Sequence, residues 1–153
     1  MPVPGVPNSV LDGNKDLADR LSRALDGNQE QREKTYQTYT RWHPKKRICY
    51  SGRTSGYDDP KTNVKNRGLQ QAILNGEGFE PPVLDQSSPS YGAIRGREQD
   101  LIEINGGARS TGGTSRNEIN GIGPFNIING PIYRWQAEQE FGVPVPIGNC
   151  QCQ

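Results

Sequence analysis

Thr35 to Arg53 reads TYQTYTRWHPKKRICYSGR, and this stretch decides the fold. Thr35, Tyr36, Thr38, Tyr39, Thr40 and Trp42 are β-branched or aromatic; His43 to Lys46 is a basic turn; Arg47, Ile48, Cys49 and Tyr50 extend again. Such residues suit a pleated, half-buried surface, so two short antiparallel strands around the turn are expected. Ser51 to Pro60 contains Gly52, Gly56 and Asp58-Asp59-Pro60 and reads as loop.

Downstream of the hairpin, Asn63 to Leu74 has Val64, Leu69, Ala72 and Ile73 at helical spacing and stops at Asn75-Gly76. Pro81 to Asp85 is a brief extended segment. Pro89 to Asn105 is the clearest helix, with Ile94, Leu101, Ile102 and Ile104 inward, Glu98, Asp100 and Glu103 on its polar side, and Gly106-Gly107 as the stop. Ala108 to Gly123 is Gly, Ser, Thr and Asn, either a long functional loop or a poorly ordered one. Ile132 to Phe141 reads as a last amphipathic helix ending at Gly142. Upstream, Met1 to Asp12 reads as a Pro-rich linker, and Leu17, Leu21 and Leu25 mark one face of a short helix over Asn14 to Leu25. The fold class is therefore α/β (α+β): a small central three-stranded antiparallel sheet flanked by helices, with a β-β-α-β-α core and helical additions at both ends. Residues 1–30 form the junction and short helix, 31–130 the main domain, and 131–153 a helix with an irregular tail.

The 153 residues allow one core of ordinary size. Gly 19 and Pro 12 are too frequent for a helical bundle and show no collagen period. No segment has the length and apolarity of a membrane span, and the Met1 end lacks a signal-peptide pattern. The expected protein is soluble, or delivered by something other than its own leader.

The formal net charge of +1 hides segregation. Gln31 to Gln70 carries ten basic residues against three acidic ones, a local +7, whereas Gln71 to Ser110 carries six acidic against three basic. A basic half suits a polyanion, and the plainer reading is a solvated Lys- and Arg-rich loop. Lys45, Lys46, Arg47, Lys65 and Arg116 are the candidate nucleic-acid contacts. Three cysteines, an odd number, argue against a disulfide scaffold: Cys49 reads as a buried thiol, and Cys150 and Cys152 as exposed tail thiols. With one histidine, His43, a zinc site lacks support.

The hairpin also holds the candidate chemistry. Tyr39 and Tyr50 can share one face of the sheet, Gly52 lets the backbone approach a ligand or leave the strand, and Arg53, Arg67 and Glu98 follow. Each has a plain alternative: the tyrosines as strand packing, Arg67 as a surface cation, Glu98 as a solvated partner of Arg95 or Arg97, Asn120-Gly121 as a turn, and His43 as an exposed turn residue.

Tyr50-Ser51-Gly52-Arg53-Thr54, with Tyr39 before it and Asn120 or Asn126 after it, resembles the GIY-YIG nuclease superfamily over about residues 35–126. Gly52 to Gly56, Ala93 to Gln99, Gly112 to Ile122 and the Pro-rich start also look like C-terminal toxin domains of bacterial polymorphic toxins, including Rhs-type effectors of type VI secretion. The resemblance implies a metal-dependent endonuclease toxin with DNA ahead of RNA as substrate, a parent secretion effector, a cognate immunity protein, and action in the target-cell cytoplasm after contact-dependent secretion, with no membrane role. By the same resemblance Tyr39, Tyr50, Arg53, Arg67, Glu98 and Asn120 or Asn126 are catalytic. Glu98 would hold Mg²⁺ or Mn²⁺, Arg67 would contact the scissile phosphate, and Tyr39 would be the general base with Tyr50 positioning it. A tyrosine serves as base near pH 7 only if its pKa is lowered, and the basic cluster is expected to lower it. Gln71 stands where the family carries His or Tyr and cannot exchange a proton, so the proton role falls to Tyr39 alone or is shared with His43. Two other classes remain: a non-catalytic nucleic-acid-binding module, and an ADP-ribosyltransferase-type toxin, although no separate Ser-Thr-Ser strand is evident.

Overall fold

In a computed structural model, residues 32–147 and Leu17 are described. The chain divides into two compact units, residues 1–33 and 34–153. In the first, Leu17 is helical and exposed; the rest of the expected helix over residues 14–25, like Cys150 and Cys152, lies outside the described residues.

The second unit is an α+β fold. Strands β1 (Thr35–His43) and β2 (Ile48–Gly56) form the hairpin; α1 (Pro60–Gln70), α2 (Ala72–Glu77), β3 (Val83–Ser88), α3 (Tyr91–Ile104), a short 3-10 turn (Arg109–Thr111) and α4 (Asn129–Phe141) follow. The sheet is antiparallel in the order β2-β1-β3. The β1–β2 register sets Tyr39 opposite Gly52 and Arg41 opposite Tyr50.

Strand alternation assigns the two faces. From β1, Gln37, Tyr39 and Arg41 bond to residues of α1, α2 or the link between them, while Thr38 reaches Asp85, which in turn holds Arg97 of α3. Helices therefore cover both faces. Among the described residues the interior is more polar than apolar, with fifteen buried polar or charged residues against eleven hydrophobic ones. That is how a chain only 31% hydrophobic stays folded: hydrogen bonds, not apolar bulk alone, fix the geometry.

Several sequence expectations change. Ser51 to Gly56 is strand rather than loop, because Gly52 and Gly56 do not break β2; their missing side chains leave room for Tyr39 and Asn63. The single helix over residues 63–74 is two helices with a break at Gln71 (φ −88°, ψ 68°), and α2 ends at left-handed Gly78 instead of Asn75-Gly76. The break rotates the apolar face, so Val64 is buried while Leu69 and Ile73 are exposed. The third strand starts at Val83, two residues later than expected, and runs on to Ser88. Glu98 and Asp100, expected toward solvent, are buried, since α3 lies between the sheet and α4 and uses both sides. Gly96 permits that approach: a β-carbon there would meet the Tyr133 carbonyl oxygen at 2.1 Å. Residues 108–123 are tied down, for example by Arg109 N–H and Ser110 N–H donating to the Asn117 and Glu118 carbonyls. Cys49 is disulfide-bonded, not a free thiol. No helix among the described residues is long and apolar enough to cross a membrane.

Candidate active site

The site lies at the open side of β2, the edge strand. Tyr39 and Tyr50 come together there because positions 39 and 52 pair, and 50 follows two residues along the same face. Their ring centroids are 6.3 Å apart. Gly52 makes this possible: a β-carbon at that position would lie 2.5 Å from the Tyr39 hydroxyl oxygen and 2.9 Å from the Tyr50 ring.

A network ends on the Tyr39 hydroxyl. Gln71 donates to it through Nε2 at 2.7 Å, Arg67 bonds to it from α1, and it bonds in turn to Tyr50. Gln71 is held from behind by Arg41, whose Nη1 donates to Gln71 Oε1 at 3.0 Å. Arg41 is buried, and the carbonyls of Glu80 and Phe79 and the Asn75 side chain take three more of its donors. Burial lowers its pKa, opposed by the two tyrosines. The α1–α2 break is the position that offers this arginine its acceptors. Arg41 is a positioning residue that sequence reasoning missed, counted among surface cations; its signal was an arginine on the Tyr39 face of a strand.

The expectation that cations lower the tyrosine pKa is overturned in direction. Burial pushes Tyr39 far up, with Tyr50 adding to the rise and the Arg67 and Gln71 contacts opposing it. Burial also raises Tyr50, followed by the charge of Glu98, while Arg67 and the bond from Tyr39 pull the other way. Both are neutral phenols near pH 7. Tyr39 is wholly shielded from solvent, whereas Tyr50 lines an open cleft of about 450 Å³ together with Arg67, Gln71, Ile73 and Arg116.

His43 takes no part in this. It lies on β1, buried, with Nδ1 accepting from Lys46 N–H and Nε2 against the Glu77 carbonyl oxygen at 2.7 Å, an arrangement of the neutral ring with its proton on Nε2. The expected exposed position is therefore corrected.

Glu98 approaches from the other face of the sheet. Arg53 Nε donates to its Oε1 at 3.1 Å, so its partner is Arg53 rather than Arg95 or Arg97. Burial raises its pKa and the Arg53 charge opposes the rise. The loop Asn120-Gly121-Ile122 closes over it: a Gly121 β-carbon would stand 2.3 Å from Glu98 Oε1, Arg95 donates to the Gly121 carbonyl, and Gln99 holds both Asn120 and the Ile122 N–H. Asn120 thus anchors this loop to α3. Asn126 sits in a turn, its N–H on the Gly123 carbonyl and its own carbonyl accepting from Gly130. Asn117, not singled out in the sequence, pairs with both the N–H and the C=O of Ser51. Nothing in its local sequence marks that role.

Of the candidate nucleic-acid contacts, Lys45, Lys46 and Arg47 are exposed on the hairpin turn and Lys65 on α1. Arg116 is held by Glu77 through two 2.9 Å bonds and by Glu118, beside Tyr50. Tyr50 borders the cleft with Arg67 and Arg116 and packs against Tyr39, whereas Glu98 reaches it only through its charge, from across the sheet. Among the described residues no group of three or more His, Cys, Asp or Glu is arranged to enclose a metal. The one candidate carboxylate placed here is that of Glu98, and its Oε1 is on Arg53.

A scan against protein-family models found no match, and searches of the curated proteins and of the solved structures found none either.

Proposed function

We propose that this protein is a metal-dependent endonuclease with a GIY-YIG-like active site, hydrolysing phosphodiester bonds of nucleic acid, DNA ahead of RNA. The observation that carries the reading is the pairing of Tyr39 and Tyr50 across the hairpin with Arg67 bonded to Tyr39 and lining the cleft beside Tyr50, while Arg53 holds Glu98 on the opposite face of the same strand. We further propose, on the toxin-like segments of the sequence, delivery into a target bacterial cell and neutralisation by a cognate immunity protein.

In this reading the roles of the two tyrosines exchange. Tyr39 is wholly buried and acts as a positioning residue; Tyr50 borders the cleft and meets the attacking water. Tyr39 donates to the Tyr50 oxygen, leaving that oxygen one lone pair for the water and its own O–H for the cleft. As the new phosphorus–oxygen bond forms and the bond from phosphorus to the leaving sugar oxygen breaks, the water's proton passes to Tyr50, Tyr50's proton passes to cleft solvent, the phenol stays neutral, and the leaving alkoxide takes a proton from solvent. Arg67 places its fork of donors on the phosphate oxygens. Glu98 would hold Mg²⁺ or Mn²⁺, and the Arg53 charge opposes the rise that burial imposes on its pKa. A bound ion supplies Lewis-acid stabilisation of the phosphoryl charge.

The test is incubation of supercoiled plasmid, and in parallel a labelled RNA, with Mg²⁺ or with EDTA. Cleavage with Mg²⁺, lost in EDTA and reduced at least about 100-fold in Glu98→Gln, is expected. No cleavage by the wild type, or unchanged cleavage by Glu98→Gln, overturns the reading. The Arg53 bond on a lone buried carboxylate favours one alternative, a non-catalytic nucleic-acid-binding module. Salt-dependent binding without Mg²⁺-dependent turnover would identify it.

A further inference from the structure

A second cleft, of about 400 Å³, lies across the end of β2 from the first, and Arg67 and Gln70 line both. Lys34, Arg53 and Arg67 contribute three positive charges to its lining, and none of its lining residues is acidic. Two tyrosines hold these cations in place: Lys34 Nζ lies 5.5 Å from the Tyr36 ring centroid, and the Arg53 guanidinium 5.4 Å from that of Tyr91. The two rings pack edge to face at 5.5 Å. Glu98 offsets Arg53 from behind, and the cleft lining that remains is net positive, so an anion seated in it is stabilised.

The backbone adds donors. Ser51 N–H and C=O and the Cys49 carbonyl point away from β1, to Asn117 and Arg116. In an antiparallel ladder that outward set recurs every second residue, which turns the N–H groups of Arg53 and Ser55 to the same outer edge, inside the cleft lining. Backbone donors beside clustered cations form an anion site.

We propose that this cleft is a subsite for an unpaired nucleotide flanking the scissile phosphate, its phosphate held by Lys34, Arg53 and the β2 edge and its base against Tyr36. The volume fits one nucleotide and is too small for a duplex. The proposal deepens the nuclease reading and rests on it for the position of the scissile phosphate at Arg67. It implies that nucleic acid with an unpaired nucleotide beside the cut is preferred over continuous duplex.

The test uses the whole chain in EDTA, so that binding is read without turnover. A fluorescein-labelled single-stranded 12-mer and the matching duplex are titrated by anisotropy, with thymidine 3′,5′-bisphosphate as competitor. The expected result is tighter binding of the single strand, displacement by the bisphosphate, and a loss of about 5- to 100-fold for single strand but not duplex in Tyr36→Ala. Lys34→Glu, an exposed change that leaves folding intact, should give the same selective loss. No displacement by the bisphosphate, or equal losses for single strand and duplex, overturns the proposal. The cleavage assay with Mg²⁺ is scored separately. Cleavage by the wild type without bisphosphate competition overturns the subsite alone, and selective binding without any cleavage supports the subsite while the nuclease reading fails.

Discussion

Gly52→Ala is the most informative single change because its effect is set by distances rather than by backbone strain. Gly52 is not among the residues with positive φ, so alanine is compatible with the strand. The added β-carbon would lie 2.5 Å from the Tyr39 hydroxyl oxygen and 2.6 Å from its Cζ. Since ordinary contact begins at 3.4 Å, the hydroxyl must retreat by about 0.9 Å. Tyr39 is fully buried and pinned at 2.7 Å by Gln71, so the strain passes into the network. Overpacking of this kind costs about 1–3 kcal/mol, and alanine recovers about 0.5–1 kcal/mol of glycine's backbone entropy. The net is about 0–2.5 kcal/mol of destabilisation, a fall in Tm of up to roughly 10 °C for a unit of this size. Displacing a reacting constellation by about 1 Å costs on the order of 100-fold in rate. Scanning calorimetry and plasmid nicking read the two effects. A variant with a Tm above that of the wild type would refute the contact geometry, and one with a lowered Tm but nicking within threefold would refute the role of the tyrosine pair. Gly76→Ala is the control: nothing lies within 4 Å of its β-carbon, and in α2 it should stabilise by about 0.5–1 kcal/mol.

Glu98→Gln should abolish cleavage while changing how stability depends on pH. Burial raises the Glu98 pKa above 4.5, so its contribution is greatest below that value and is lost as pH rises through the folded pKa. The Tm of Glu98→Gln relative to wild type should therefore climb between pH 4.5 and 7; a relative fall over that range would show that the Arg53 contact, not burial, dominates. Gln71→Leu removes the donor to Tyr39 and the Arg41 Nη1 acceptor, and urea unfolding should register a loss of about 1–3 kcal/mol. Unchanged stability would sink the account of the helix break. Cys49 is disulfide-bonded, so reduction with dithiothreitol should lower stability by about 2–5 kcal/mol, read as a shift in Tm. An unchanged Tm would show that the bond does not constrain the unfolded chain.

The hairpin and the sheet were legible because β-branched and aromatic residues alternate over Thr35 to Trp42, and a three-stranded antiparallel sheet with flanking helices is what the chain forms. The break at Gln71 was not. Leu69 and Ile73 keep helical spacing with Val64, and what interrupts the helix is distant, the demand of buried Arg41 for acceptors at Gln71 and Asn75. Glu98 was picked out by its place in the motif order, yet its burial was invisible. Periodicity assigns one wet face to a helix, whereas α3 is covered by the sheet on one side and by α4 and the 120–122 loop on the other. The tyrosine pKa was misjudged for a related reason: charge can be counted in a sequence, but the desolvation that outweighs it cannot.

Edge strands expose unpaired backbone groups that invite other chains, and proteins commonly cover them. Here β2 is covered over only part of its length. Asn117 imitates a neighbouring strand by bonding both backbone groups of Ser51, and Arg116 N–H caps the Cys49 carbonyl. Among the described residues that cover stops beyond Gly52, and the outward groups of Arg53 and Ser55 face a basic cleft instead. The uncovered stretch begins where the missing Gly52 side chain admits the tyrosine pair from one face and where Arg53 meets Glu98 from the other. In the proposed nuclease reading, a strand edge sealed up to Gly52 and open past it would give an extended polyanion one direction in which to lie. The segregated charge of the sequence serves the same geometry, with cations from the hairpin and α1 along the open edge and the carboxylate delivered from behind by α3.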